Sequence, residues 1–221
     1  MFYEPDKNDH GLARPPFKSC VVPRAIGWLS TLSTNGVPNL APFSQFTNLS
    51  FDPPYVAVSI NQGHLQNRKN TTENIEQTGE FVYNMVTYEL REIMNTTAAE
   101  FPPDVDEFEA AGLEKAPSIL VKPWRVAASP IQFECKYVQT IRLPGNRRVG
   151  TADVLIGRVI GVHINDTFIR EDGKIDMVAI RPLARMGYCD YTTVDHVFEM
   201  KPSKAAGDRE DLGYGLEGRA P

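Results

Sequence analysis

The sequence predicts a mainly β domain: a closed or nearly closed antiparallel barrel with short peripheral helices. Three observations carry that expectation. Several runs alternate apolar and small polar residues, as strands with one buried face do. Turn signals separate the runs: Asn35-Gly36, Asp52-Pro53-Pro54, Pro144-Gly145-Asn146 and Asp172-Gly173. The helical patterns are short and fall between strands, and nothing repeats at a fixed period. Six or seven strands joined mostly by hairpins are best closed into a barrel, because closure removes exposed edges. A chain of 221 residues, 42% hydrophobic, can build one such core.

The elements follow in order. Residues 1–22, polar and proline-containing up to Pro16, read as an N-terminal arm. Ile26 to Ser33 alternates as a half-buried strand, Asn35-Gly36 offers the two positive-φ positions of a tight hairpin, and the return strand runs from Pro38 to Phe43. The stretch from Ser44 to Ser50 is a polar loop interrupted by Phe46 and Leu49, suited to a flat polar ligand. Tyr55 to Ile60 is the next strand. A two-turn helix begins near Asn70, with Glu73 three residues later as a reciprocal capping partner, and Gly79 stops it. Glu80 to Val86 is a strand, Glu89 to Ala99 a helix ended by Pro102-Pro103, and Asp104 to Ala111 a short acidic helix. The excursion from Glu100 to Pro123 either covers a site or is a solvated surface feature. Ile131 to Ile141 and Asp153 to Ile164 are long strands, the second with Gly157 and Gly161 as candidate bulges. Short apolar pieces, 177–180, 182–183 and 185–188, close a domain spanning 23–200, and 201–221 reads as a flexible tail.

Composition excludes several functions. A net charge of −5 and a pI near 5.4 argue against a general nucleic-acid binder. No apolar run is long enough for a membrane span and no signal peptide is present, so the expected location is cytoplasmic, away from membranes. Cys20, Cys135 and Cys189 form neither a disulfide framework nor a zinc spacing, and His10, His64, His163 and His196 lie far apart, so no metal is expected. Nucleophile-elbow, phosphate-loop, dinucleotide-glycine and zincin motifs are absent. What remains is a binding constellation. Ser44 to Ser50 offers hydroxyls and amides, Ser59 ends the next strand, and Arg68, Lys69, Asn70 and Thr71 stand at a predicted helix N-terminus, where unpaired N–H groups and the dipole favour an anion. Taken alone, Asn70 as a plain cap and Arg68-Lys69 as a solvated pair is the favoured reading.

Several stretches, in the same order, carry a resemblance: Pro23-Arg24-Ala25-Ile26-Gly27-Trp28-Leu29-Ser30-Thr31, then Asn35 to Ser44, then Asp52-Pro53-Pro54, then Lys69-Asn70-Thr71-Thr72-Glu73-Asn74-Ile75, then Gly79 to Asn84, then Gly157-Arg158-Val159. Together they resemble the flavin reductase-like family, with its FMN-binding, antiparallel Greek-key split β-barrel, over about three quarters of the chain, from Arg24 to Tyr191. The resemblance implies FMN as cofactor, NADH or NADPH as candidate co-substrate, a small-molecule electron donor and acceptor, and a homodimer. It implies that Ser44, Gln45, Phe46, Thr47 and Asn48 lie along the flavin ring, that Ser50 and Ser59 hold the ribityl chain or phosphate, and that Arg68, Lys69 and Thr71 bind the phosphate.

This chain departs from the family pattern twice. Asn70 replaces an aspartate found in many members. Thr151-Ala152-Asp153-Val154 stands where two-component reductases carry Gly-Asp-His, and His163 comes too late to take that histidine's place beside a nicotinamide. Three functions therefore stay open on the sequence: an FMN-dependent oxidoreductase, an FMN-binding electron carrier without a substrate of its own, and a scaffold that has lost its flavin.

Overall fold

The computed structural model describes residues 1–63 and 68–200. His64 and the expected tail, 201–221, lie outside the described residues. In chain order the elements are β1 (Arg24–Ala25), β2 (Gly27–Leu32), β3 (Pro38–Phe43), β4 (Phe46–Phe51), β5 (Pro54–Asn61), α1 (Asn70–Thr78), β6 (Glu80–Asn84), α2 (Arg91–Thr96), α3 (Glu107–Ala110), β7 (Lys115–Ala116), β8 (Arg125–Val126), β9 (Ile131–Leu143), β10 (Ala152–Ile164), α4 (Met177–Ile180), β11 (Leu183–Gly187) and β12 (Asp190–Thr193).

Seven strands form one sheet in the order β3-β2-β6-β9-β10-β5-β4, antiparallel as the sequence leads one to expect. Its two edge strands, β3 and β4, are consecutive in the chain and joined only by Ser44 and Gln45. The sheet curls until those edges face each other. Phe46 of β4 reaches across to β2, where a Cβ on Gly27 would sit 2.7 Å from its ring, and it stacks on Tyr83 of β6 at 4.4 Å between centroids. Only a residue without a side chain fits at 27. The β9–β10 ladder shifts register at Ile156/Gly157 and at Val159/Gly161, so both glycines mark the expected irregularities in a strongly curved ribbon.

Alternation along β2 divides the apolar residues between two cores. Leu29 belongs to the barrel interior with Val56, Val58, Ile60, Phe81, Cys135 and Leu155, and Ile75 of α1 plugs one mouth of it. The neighbouring Trp28 belongs to an outer core with Ile26, Leu40, Met94, Phe108 and Leu183. Its indole N–H donates to the Thr97 hydroxyl at 2.9 Å, so a large ring is buried without leaving a polar group unpaired. That bond fixes the segment after α2 against the barrel. Two smaller sheets, β1-β11-β12 and β7-β8, complete the outer layer.

The structure corrects three local expectations. At the first hairpin only Gly36 has positive φ, +80°. The loop spans Ser33 to Val37, and the Ser33 hydroxyl accepts the Val37 N–H at 3.0 Å, a bond that replaces the tighter two-residue turn. Asn70 does not cap α1. Lys69 takes the cap position without a side-chain bond, its carbonyl accepting the N–H groups of Thr72 and Glu73, while Gly79 ends the helix at φ +74° as expected. The polar stretch 44–50 is a two-residue connection followed by an edge strand, because Phe46 anchors it inside the barrel and the Phe46, Thr47 and Asn48 backbones pair with Val58, Ala57 and Val56. Met177–Ile180 is a single helical turn, capped by the Asp176 carboxylate. No helix among the described residues is long and apolar enough to cross a membrane.

Candidate functional site

Two cavities flank the Ser44–Gln45 connection. The smaller, about 320 Å³, lies between that connection, the end of β5, the N-terminus of α1 and the segment after α2. Ser44, Gln45, Ser59, Lys69 and Thr71 all line it. The larger, about 750 Å³, opens on the other side of Ser44 and Gln45 and takes in Phe46, Thr47 and Asn48. Lys18, Ser44 and Gln45 belong to both walls, so the two spaces adjoin.

Ser50 and Arg68 line neither cavity. The Ser50 hydroxyl donates to the Pro53 carbonyl in the β4–β5 turn at 2.5 Å. Arg68 forks onto Glu76 of α1 at 2.7 and 2.8 Å and donates from Nε to Asp153 of β10 at 3.2 Å. The hydrogen-bonded Glu76 raises the guanidinium's affinity for its proton above the ordinary value, and Arg68 in turn holds the Glu76 carboxyl below its own. This residue clamps the start of α1 to the barrel wall.

Beneath the smaller cavity runs a buried polar network. The Thr71 hydroxyl donates to Asn39 Oδ1 at 2.7 Å, and Asn39 Nδ2 donates to Glu107 Oε1 at 2.6 Å. Glu107 Oε2 accepts the Leu40 N–H at 3.0 Å, while Asn74 Nδ2 donates to the Thr31 hydroxyl at 3.0 Å. The network ties α1, β2, β3 and α3 into one floor. Burial pushes the Glu107 carboxyl above its ordinary value, against the lowering effect of these donors.

The sequence reading did not reach Asn39, Gln62 or Glu107. Asn39 and Glu107 lie 68 residues apart, and no local pattern joins them. Of the excursion 100–123, Glu100, Phe101 and Glu107 line the smaller cavity. Glu100 pairs with Lys69, so the cation at the helix start already faces a carboxylate. His163 lines neither cavity; its Nε2 meets Glu134 Oε1 at 2.6 Å. Among the described residues no three His, Cys, Asp or Glu side chains are grouped to hold a metal.

The smaller cavity suits a phosphorylated ligand. Lys69 and Thr71 stand at the N-terminal turn of the nine-residue α1, where backbone N–H groups lack helical partners. Gln62, only 8% exposed, lines the same cavity, and its Nε2 donor has no partner among the described residues. An unpaired buried amide donor is costly unless a ligand accepts from it.

Known proteins share this fold. Residues 19–181 match the model of the flavin reductase like domain. An uncharacterized protein of Aquifex aeolicus is 38% identical over 167 residues, 76% of this chain and 82% of that protein. Nitrilotriacetate monooxygenase component B from Bacillus cereus superposes with a TM-score of 0.80 at 28% identity, covering 90% of this chain and 98% of the other. A Shewanella frigidimarina protein, named for a flavin reductase with a split barrel domain, superposes with a TM-score of 0.78 at 25% identity, covering 92% and 100%. By the match of its residues 19–181, the chain belongs to the flavin reductase-like family, and its curled seven-stranded sheet is that family's split barrel.

Proposed function

We propose that this protein is an FMN-binding oxidoreductase that passes electrons from a reduced donor, NADH or NADPH, to a small acceptor. The observation that carries the reading is the meeting, in one cavity, of Lys69 and Thr71 at a helix N-terminus, the unpaired Gln62 amide and the Ser44–Gln45 connection. In this reading the phosphate sits at the start of α1, held by Lys69, Gln62 and the N–H groups of Asn70 and Thr71, ahead of those that the Lys69 carbonyl accepts. The Thr71 hydroxyl is already bonded to Asn39, so Thr71 serves through its backbone. Arg68 acts at one remove by fixing the helix start, Ser59 flanks the ribityl chain, and the ring lies along Ser44 to Asn48 toward the larger cavity. Ser50 shapes the β4–β5 turn behind it. Bound FMN would supply hydride acceptance and electron transfer, while the protein binds and orients it.

Homodimerisation belongs to the same reading. Its support is the apolar surface left open by Leu49 and Phe51 on the edge strand β4 and by Val138, Ile141 and Leu143 on β9. Such a dimer would cover a sheet edge that the single chain leaves exposed.

The test is the visible spectrum of the purified protein loaded with FMN, followed anaerobically on addition of NADPH or NADH. The reading expects bound flavin and its bleaching; a protein that cannot be loaded with FMN ends it. Lys69→Met should weaken FMN binding by at least about tenfold, the loss of one charge-assisted hydrogen bond. Glu100→Gln should tighten binding about threefold, by freeing Lys69 and removing a negative charge from the cavity. Unchanged affinity in both variants would refute the phosphate assignment.

A further inference from the structure

We propose that the larger cavity is a second binding site, for a small planar anion such as an aromatic carboxylate, held beside the flavin rather than in its place. The flavin reading supplies only that neighbour; the anion site stands on the cavity itself.

The charges there are one-sided. The cavity is lined by Lys18 and Arg24 and by no aspartate or glutamate, in a chain with 28 acidic and 23 basic side chains. Among the described residues Arg24 is answered only by neutral groups. Its Nε donates to the Ser44 carbonyl at 3.1 Å, and its Nη1 donates to the Val21 carbonyl at 3.0 Å and to the Lys18 carbonyl. These bonds leave its positive charge uncompensated, and Nη2 keeps its donors. Lys18 pairs with no carboxylate among the described residues. The smaller cavity is the opposite case, since Glu100 answers its Lys69 and Glu107 lies in its wall.

The rest of the lining is mixed, polar along Ser44, Gln45, Thr47 and Asn48 and otherwise apolar. Phe46 and Phe133 flank Tyr83 in a layered aromatic group, with Tyr83 parallel to Phe46 within 7° and tilted 41° from Phe133. Phe17, Val21, Pro23, Ala25 and Val56 are the other apolar residues of the lining. A planar apolar body can lie against the Phe46 and Phe133 rings while its anionic group reaches Arg24 and Lys18. Fastening the arm explains the three carbonyl bonds of Arg24. It explains neither the lack of any carboxylate in the lining nor the open ammonium of Lys18. Because Arg24 holds the Ser44 carbonyl, an anion drawn to it lies next to the connection assigned to the flavin ring.

Calorimetric titration of the full chain, before and after loading with FMN, with naphthalene-2-carboxylate and the neutral naphthalene-2-carboxamide tests this. The carboxylate should bind at least about tenfold more tightly than the amide at low ionic strength, and the ratio should shrink as salt rises. Lys18→Gln, at an exposed position, should cut the ratio about threefold, and Lys18→Arg should keep it. FMN and the carboxylate should bind together. Equal affinity for the two probes, a ratio unmoved by Lys18→Gln, or mutual exclusion of carboxylate and FMN would each overturn the proposal. A chain that refuses FMN yet prefers the carboxylate would refute the flavin reading and leave this one standing.

Discussion

Two glutamates, Glu134 of β9 and Glu107 of α3, are buried almost completely, at 0% and 3% exposure, and they titrate in opposite directions. Glu134 is surrounded by donors. Its carboxylate accepts the backbone N–H groups of Ile119 at 2.8 Å, Leu120, and Val121 at 3.1 Å, and it meets His163 Nε2 at 2.6 Å. Burial pushes this carboxyl up, but those bonds outweigh it and hold it below its ordinary value. Glu107 has the Asn39 amide, the Leu40 N–H and its own backbone N–H against burial and the neighbouring Asp106, and for it burial wins. The donors and the charge of the neighbours, His163 beside Glu134 and Asp106 beside Glu107, decide whether a buried carboxylate fastens a fold or sits in it at a cost. Glu134 pins the strap 119–121 to the barrel; Glu107 stands in the wall of the candidate site.

The comparison can be broken experimentally. Glu134→Gln should cost the most, about 3–5 kcal/mol, because it leaves buried backbone donors unpaired. Urea unfolding would read this as a lower midpoint at unchanged slope. His163→Asn should cost less, about 1–2 kcal/mol, since three backbone donors still hold Glu134. Glu107→Gln at pH 7 should cost least, about 1 kcal/mol, because losing one acceptor is offset by relieving a buried charge.

The pH dependence gives the sharpest contrast. A carboxyl whose folded value is lowered, as for Glu134, adds stability above its unfolded value of about 4.5 and loses it as pH falls through the folded value. The folded value of Glu107 is raised, so its favourable contribution is complete below about 4.5 and is lost as pH rises through the folded value. Between pH 7 and pH 4 the deficit of Glu134→Gln should therefore shrink while that of Glu107→Gln grows. Parallel curves would mean that the two sites do not differ as described.

The same contrast bears on what could be read from the sequence. Strands β3, β5, β9 and β10 were legible because alternation and turn residues are local signals, and Gly157 and Gly161 announced the irregularities in β10. The start of α1 was misread by one residue, since capping depends on backbone geometry at Lys69 that composition does not carry. The stretch 44–50 looked like a loop because its residues are polar; it is a strand because β5 is there to pair with it. Arg68 read as a phosphate ligand by its place in the chain, and in the structure Glu76 and Asp153 occupy it. Asn39 and Glu107 gave no signal, being an ordinary strand residue and an ordinary acidic helix residue until the fold brought them together.

By itself the sequence determined the class of fold, the order of its strands along the chain and the general place of a candidate site between β3 and α1, because periodicity, turn chemistry and helix starts are properties of neighbouring residues. Only the tertiary structure decided which polar groups are free. Whether Lys69, Arg24, Gln62 or Glu134 has a partner depends on residues brought close from distant parts of the chain. Burial then sets what each missing or present partner is worth.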